Sequence, residues 1–311
     1  MNLSVGANIA VKQCMNIQPD ESVLIITDKK IPREIPKALF EASKKITKST
    51  VIKQIQPSER DGQEPSEEMA SLMKTPDVLL LVTSRSLSHT KARREASKKG
   101  VRIASMPKIP ISTFINGGLT ADYKKVKENC NSMFDAIKDK TDIQLTSING
   151  TNVTMKIGRY RLNKDDGIYH KPGAFGNLPA GEVDTAPDKW STNGILVVDN
   201  MGEYGKNIKI TIKNGYAIKV EGSEKLKSTV INLGKDSRVV AELGIGTNPK
   251  AKVIGNILED EKVLGTVHMA LGNNASYGGD CDVGFHADGI VVRPTLKADG
   301  KMLIRHGEWL I

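Results

Sequence analysis

Residues 78–105 read VLLLVTSRSLSHTKARREASKKGVRIAS, and this stretch decides how the chain folds. It opens on an unbroken apolar run at Val78–Val82, continues through a charged helical segment, TKARREASKKG, that Gly100 stops, and ends on a second apolar run from Val101. Apolar runs joined by a helix are the pattern of parallel strands covered on both faces. Toward the N-terminus, VLIIT from Val23 and TVIKQI from Thr50 supply two more strands. Between them Ile35, Ala38, Leu39, Ala42 and Ile46 recur at helical spacing, and Pro32 sits where a first turn tolerates proline. Toward the C-terminus a helix with Val126, Cys130, Met133, Phe134 and Ile137 on one stripe closes an α/β domain over residues 1–140.

After Lys140 the period changes from helical to two. DIQLTSINGTNVTMKI, from Asp142, alternates across Asn149-Gly150, and NIKITIKNGYAIKVEG, from Asn207, does so across Asn214-Gly215; both are hairpin signals. The expected fold class is therefore α/β: a mostly parallel N-terminal α/β domain (1–140), then a β-rich α+β domain (141–311). A chain of 311 residues has room for both cores.

Composition narrows the function. Apolar residues make up 39%, mean hydropathy is −0.31, and no apolar run approaches the roughly 20 residues of a membrane span, which predicts a soluble protein that needs no membrane. Three scattered cysteines without a C-x-x-C pair exclude a disulfide framework and a cysteine zinc site. The N-terminus MNLSVGANIAVKQC lacks the features of a signal peptide, so the expected location is cytoplasmic. Net charge is +9, but Met1–Lys140 holds 24 Lys and Arg against 16 Asp and Glu, mostly as lysines on helix faces without interleaved aromatics. No nucleic-acid partner is expected from that footprint.

Nucleotide and hydrolase signatures are missing: no Walker loop, no G-x-S-x-G elbow, no H-E-x-x-H helix. What remains is FHADGIV at Phe285–Val291. Residues two apart on a strand share a face, so His286 and Asp288 can present an imidazole and a carboxylate to one ion. His268 in GTVHMALGNN adds a second imidazole, while Glu182 in NLPAGEVDTAP, Glu242 in AELGIGTNP and Glu261 add carboxylates beyond one ion's needs. Nitrogen and oxygen donors without sulfur point to Zn, Co, Mn or Fe(II), and surplus carboxylates suit a two-ion centre that activates a water. Taken singly, each residue has a plainer reading: Glu182 as a surface turn, Glu261 as part of a solvated acidic turn, His268 as a satisfied core histidine. His89 and His170 read as solvent-facing, with His170 also a candidate to line the cleft. Asp280 and Asp282 read as loop residues, and Cys281 as an incidental thiol.

NLPAGEV, AELGIGTNPKA, ILEDEKVLGTVHMALGNN and the closing His-x-Asp, in this order, resemble the thermophilic-metalloprotease family of aminopeptidases, of the aminopeptidase T and aminopeptidase S type. The likeness is dense over Pro172–Val292. It implies an α/β N-terminal domain with a C-terminal metallo-domain, a homodimer, and a peptide substrate with a free N-terminus. It also implies two divalent metal ions held by Glu182, Glu242, Glu261, His268, His286 and Asp288. Glu182 and Glu242 would then relay protons, and Tyr277 in GNNASYGG is the nearest counterpart of a tyrosine that assists catalysis there. Glu261 stands two residues farther from its histidine than in the aminopeptidase S type. Fe(II) dioxygenases that open dihydroxypyridine rings share this fold and need only His268, His286 and Asp288; they are the alternative, with a non-catalytic metal-binding protein as a third reading.

Overall fold

The computed structural model describes residues 2–311, and the chain separates into two compact units. The first takes the chain up to Lys127 together with Asp165–Ala180 and Pro249–Lys252; the rest forms the second. The division at Lys127–Glu128 falls inside the helix Tyr123–Ile137, ahead of the boundary that the loss of helical periodicity suggested at Lys140.

In the first unit the four expected strands form a parallel sheet, ordered Thr50–Ile55, Val23–Asp28, Val78–Val82, Arg102–Ser105. A fifth strand, Phe175–Asn177, joins the last of these in parallel. The three inner strands are buried end to end, whereas Thr50–Ile55 buries only its first residue and carries Lys53 on its open edge. Ile35, Leu39 and Ala42 turn the helix Glu34–Lys44 onto the sheet. The helix Lys91–Lys98 begins where Thr90 Oγ1 accepts the Arg93 N–H (3.2 Å) and buries Ala92 and Ala96 in a cluster with Leu79, Leu81 and Ile103. Each fully buried leucine there contributes about 1.5–3 kcal/mol.

The second unit is built from two sheets. Its eight-stranded sheet contains both expected hairpins: Asp142–Thr146 pairs antiparallel with Asn152–Lys156, and Ile208–Lys213 with Tyr216–Glu221. Asn214 and Gly215 turn the latter at φ 48° and 75°, the left-handed pair that a two-residue hairpin turn requires. The five-stranded sheet runs His286–Val291, Val267–Gly272, Val240–Gly246, Glu182–Thr185, then the short strand Asn163–Asp165. The longer four pair antiparallel with one another, and this sheet positions the candidate site. No helix among the described residues is long and apolar enough to cross a membrane.

Candidate metal centre

Register decides which side chains meet. Directly opposed residues of an antiparallel pair share a face. The pairing sets Glu182 against Gly246, Asp184 against Gly244, and Gly244 in turn against His268. It also sets Glu242 against Ala270, Ala270 against Asp288, and Gly272 against His286. All six acidic and imidazole residues therefore rise from one face of one sheet. The places between them are held by Gly244, Gly246, Ala270 and Gly272, which leave room. At Gly244 the need is steric: a Cβ there would lie 2.1 Å from Cε1 and Nε2 of His268. The opposite face carries Val183, Leu243, Ile245, Met269 and Leu271, buried and apolar.

The cluster is tight. His268 Nε2 lies 3.1 Å from Glu242 Oε1 and 3.6 Å from Glu182 Oε2. His286 Nε2 lies 3.0 Å from Glu242 Oε2 and 3.3 Å from Asp288 Oδ1. Glu242 thus stands between the two imidazoles. Glu261 enters from the end of the short helix Ile257–Asp260 rather than from the sheet. Three sets offer ligand atoms within 4.8 Å of one another: Glu182, Glu242 and His268; Glu242, His286 and Asp288; Glu261, His268 and Asp288. All six metal-ligand candidates from the sequence come together here.

Tyr277 stands beside them, its phenol hydrogen-bonded to Asp184, which Asn163 Nδ2 also contacts at 3.2 Å. Asp184 had a legible signal, since Glu182-x-Asp184 repeats the spacing of His286-x-Asp288. Lys262, buried against Glu182 and Glu261, had none. His89, His170, Asp280 and Asp282 are exposed and outside the cluster, and Asp280 pairs with Lys189. The three cysteines form no disulfide and are buried; Cys130 Sγ sits 3.0 Å from Thr247 Oγ1 and 3.6 Å from the Glu182 carbonyl, behind a ligand strand.

Electrostatics follow from crowding charges out of water. Burial, then the neighbouring Glu261 and Glu242, lift the Glu182 carboxyl to about 7 against the pull of Lys262 and His268. Burial, then Glu182 and Glu242, likewise lift Asp184 to about 7. Burial would depress His268, but the hydrogen bond and charge of Glu242, with Glu182 and Glu261, raise it to about 10. Burial works against ionisation of Glu242 too, yet the two imidazoles hold it well below the usual carboxylate range. Two buried atoms, Glu182 Oε2 and His268 Nδ1, have no hydrogen-bond partner among the described residues. A buried acceptor left bare costs about 1–3 kcal/mol, so the donor set and the orphaned carboxylate oxygen both fit a divalent cation.

Fold and site together define an α/β protein with a buried carboxylate-imidazole cluster of the kind that holds a divalent metal. The chain belongs to the family described as NicX, 2,5-dihydroxypyridine 5,6-dioxygenase, whose model matches residues 8–310. Its structure is similar to that of the 2,5-dihydroxypyridine dioxygenase from Pseudomonas putida KT2440, with 16% identity, a TM-score of 0.82 and coverage of 99% of this chain and 96% of that one. It is also similar to wild-type AmpT from Thermus thermophilus, with 15% identity, a TM-score of 0.69 and 99% of each chain covered. At such identities these likenesses show a shared fold. No curated protein sequence matches the chain. The aminopeptidase resemblance thus reaches as far as the fold, while the family is that of the alternative.

Proposed function

We propose that this chain is a metal-dependent dioxygenase that opens the ring of a hydroxylated pyridine, 2,5-dihydroxypyridine or a close relative, with Fe(II) as its resident ion. The observation that carries this reading is the presence of His268, His286 and Asp288 on one face of one sheet, in a chain that belongs to this family over residues 8–310. Two imidazoles and a carboxylate with positions left open are the donor set of non-haem iron oxygenases. When bound, iron supplies the electron chemistry that lets dioxygen react with an aromatic ring.

The chain's own residues prepare that site. His286 Nδ1 lies 2.9 Å from the Asn273 carbonyl, which can only accept, so Nδ1 carries the proton and Nε2 is turned to the cluster. Glu242 is the carboxylate shared by both imidazoles and keeps them oriented. Tyr277, its phenol held protonated by burial and by the charge of Asp184, donates to Asp184. Asp184, beside the cluster and contacted by Tyr277 and Asn163, is the carboxylate assigned to take the proton that a ring hydroxyl gives up.

A second reading, a two-ion aminopeptidase acting on peptides with a free N-terminus, draws support from Glu182, Glu242 and Glu261 all standing in the cluster and from the fold shared with AmpT. One experiment separates the two. Protein loaded with Fe(II) under anaerobic conditions, then given 2,5-dihydroxypyridine and oxygen, is expected to consume oxygen as the ring absorbance disappears. Failure of that assay, combined with cleavage of an unblocked dipeptide after loading with Zn, Co or Mn, would reverse the assignment.

A further inference from the structure

The carboxylates of this face outnumber what one ion uses, and the chain brings its own cation to them. Lys262 is 2% exposed, among the most completely buried large side chains of the molecule. Its ammonium donates to Glu261 Oε1 at 2.9 Å and to Glu182 Oε1. A buried ammonium is costly unless paired, and here two carboxylates pair it. Its backbone is fixed as well: the Asn248 N–H donates to the Lys262 carbonyl at 2.8 Å, the Leu264 N–H to the Asn248 carbonyl at 3.1 Å, and Asn248 bridges Val263. The turn carrying Lys262 lies hard against the sheet, since a Cβ on Gly246 would fall 2.1 Å from the Val263 carbonyl and 2.8 Å from that of Glu261.

A two-ion centre divides these ligands into two groups. One set, Glu242, His286 and Asp288, is already assembled; Glu182 and Glu261 each stand beside His268 too, but in separate sets, Glu182 with Glu242 and Glu261 with Asp288. None of the three compact ligand sets holds Glu182 and Glu261 at once, and what stands between that pair is the ammonium of Lys262. Of the Glu182 carboxylate, Oε1 faces the lysine and only Oε2 is left bare toward His268.

We propose that Lys262 occupies the place of a second cation between Glu182 and Glu261, so that this centre takes one divalent ion and excludes another. The inference rests on the reading above that the cluster holds a divalent ion, and it adds the count and the residue that sets it. A fixed positive charge at that spot repels an incoming cation and also occupies the oxygens that the cation would need.

The test is the number of ions bound. Wild-type protein titrated with Mn(II), read by calorimetry and elemental analysis, is expected to bind about one ion per chain, and Lys262→Met about two. Lys262→Arg keeps the charge and is expected to stay at the wild-type count. The Mn(II) paramagnetic resonance spectrum gives a second readout: an isolated ion in the wild type, a spin-coupled pair in Lys262→Met. Two tightly bound ions in the wild type overturn the inference even if Lys262→Met does not fold, and so does a folded Lys262→Met that remains at one. Those outcomes leave the ring-opening assay to decide the function on its own. Binding of no ion at all overturns both.

Discussion

The strands Val78–Val82 and Val240–Gly246 each lie at the centre of a five-stranded sheet, and each is buried from end to end. Their sequences are VLLLV and VAELGIG. The first fills both faces with apolar side chains that need nothing further. The second is equally shut off from water, yet on one face it holds Glu242 between two glycines' worth of empty positions and two imidazoles. Equal burial therefore serves opposite ends: the first strand stabilises the fold outright, whereas the second holds desolvated charge that only a cation or paired side chains make tolerable.

That contrast can be broken at several points, in order of expected effect. Leu80→Ala in the first sheet should lower stability by about 2–5 kcal/mol in denaturant melts while leaving bound metal per chain unchanged. A loss of metal with it would mean that the two sheets are not independent. In the second sheet, a divalent ion at about 100 times its dissociation constant should stabilise by about 2.7 kcal/mol relative to chelator-treated protein. An unchanged melting temperature would show that the acidic face is already satisfied without an ion. Gly244→Ala should then weaken metal affinity by about 10–100-fold, because its methyl group displaces the His268 ring, while Gly100→Ala has no such effect. Equal losses from both would turn the Gly244 effect into general destabilisation.

The smallest effect lies in the first unit, where carboxylates are held by ordinary surface hydrogen bonds. The backbone N–H and hydroxyl of Ser22, 2.8 and 2.7 Å from Asp77 Oδ2, hold that carboxyl below its usual range. A depressed folded pKa gives stability that is complete above the unfolded value and lost as pH falls through the folded one. Ser22→Ala should move the Asp77 titration upward when followed by NMR, and an unmoved titration would remove the serine from the account.

The parts legible in the sequence were those with local causes. Val78–Val82 and its partners announce themselves by continuous apolarity, and the hairpins by Asn149-Gly150 and Asn214-Gly215. His286 and Asp288 are visible because strand periodicity puts them on one face. The strand Phe175–Asn177 was not, since three residues among glycines and prolines carry no period and its partner is Arg102–Ser105, far along the chain. The boundary expected at Lys140 marks where helical spacing ends, but the return of Asp165–Ala180 to the first unit depends on such distant contacts. Lys262 carries no signal in the sequence, because its burial is set by the distant Asn248 and Gly246. The ligand strings could not separate a dioxygenase from an aminopeptidase, as both draw on the same sheet face.

Cys130 gives the back of that face a clock. Its thiol is sealed beneath the Glu182 carbonyl and Thr247, so a thiol reagent gains access only while that part of the sheet stands open. The labelling rate at Cys130, resolved from Cys14 and Cys281 by peptide mapping, thus counts openings of the Glu182 strand. An ion that ties Glu182 down slows the count, which makes this thiol a reporter of occupancy that needs neither turnover nor a coloured metal.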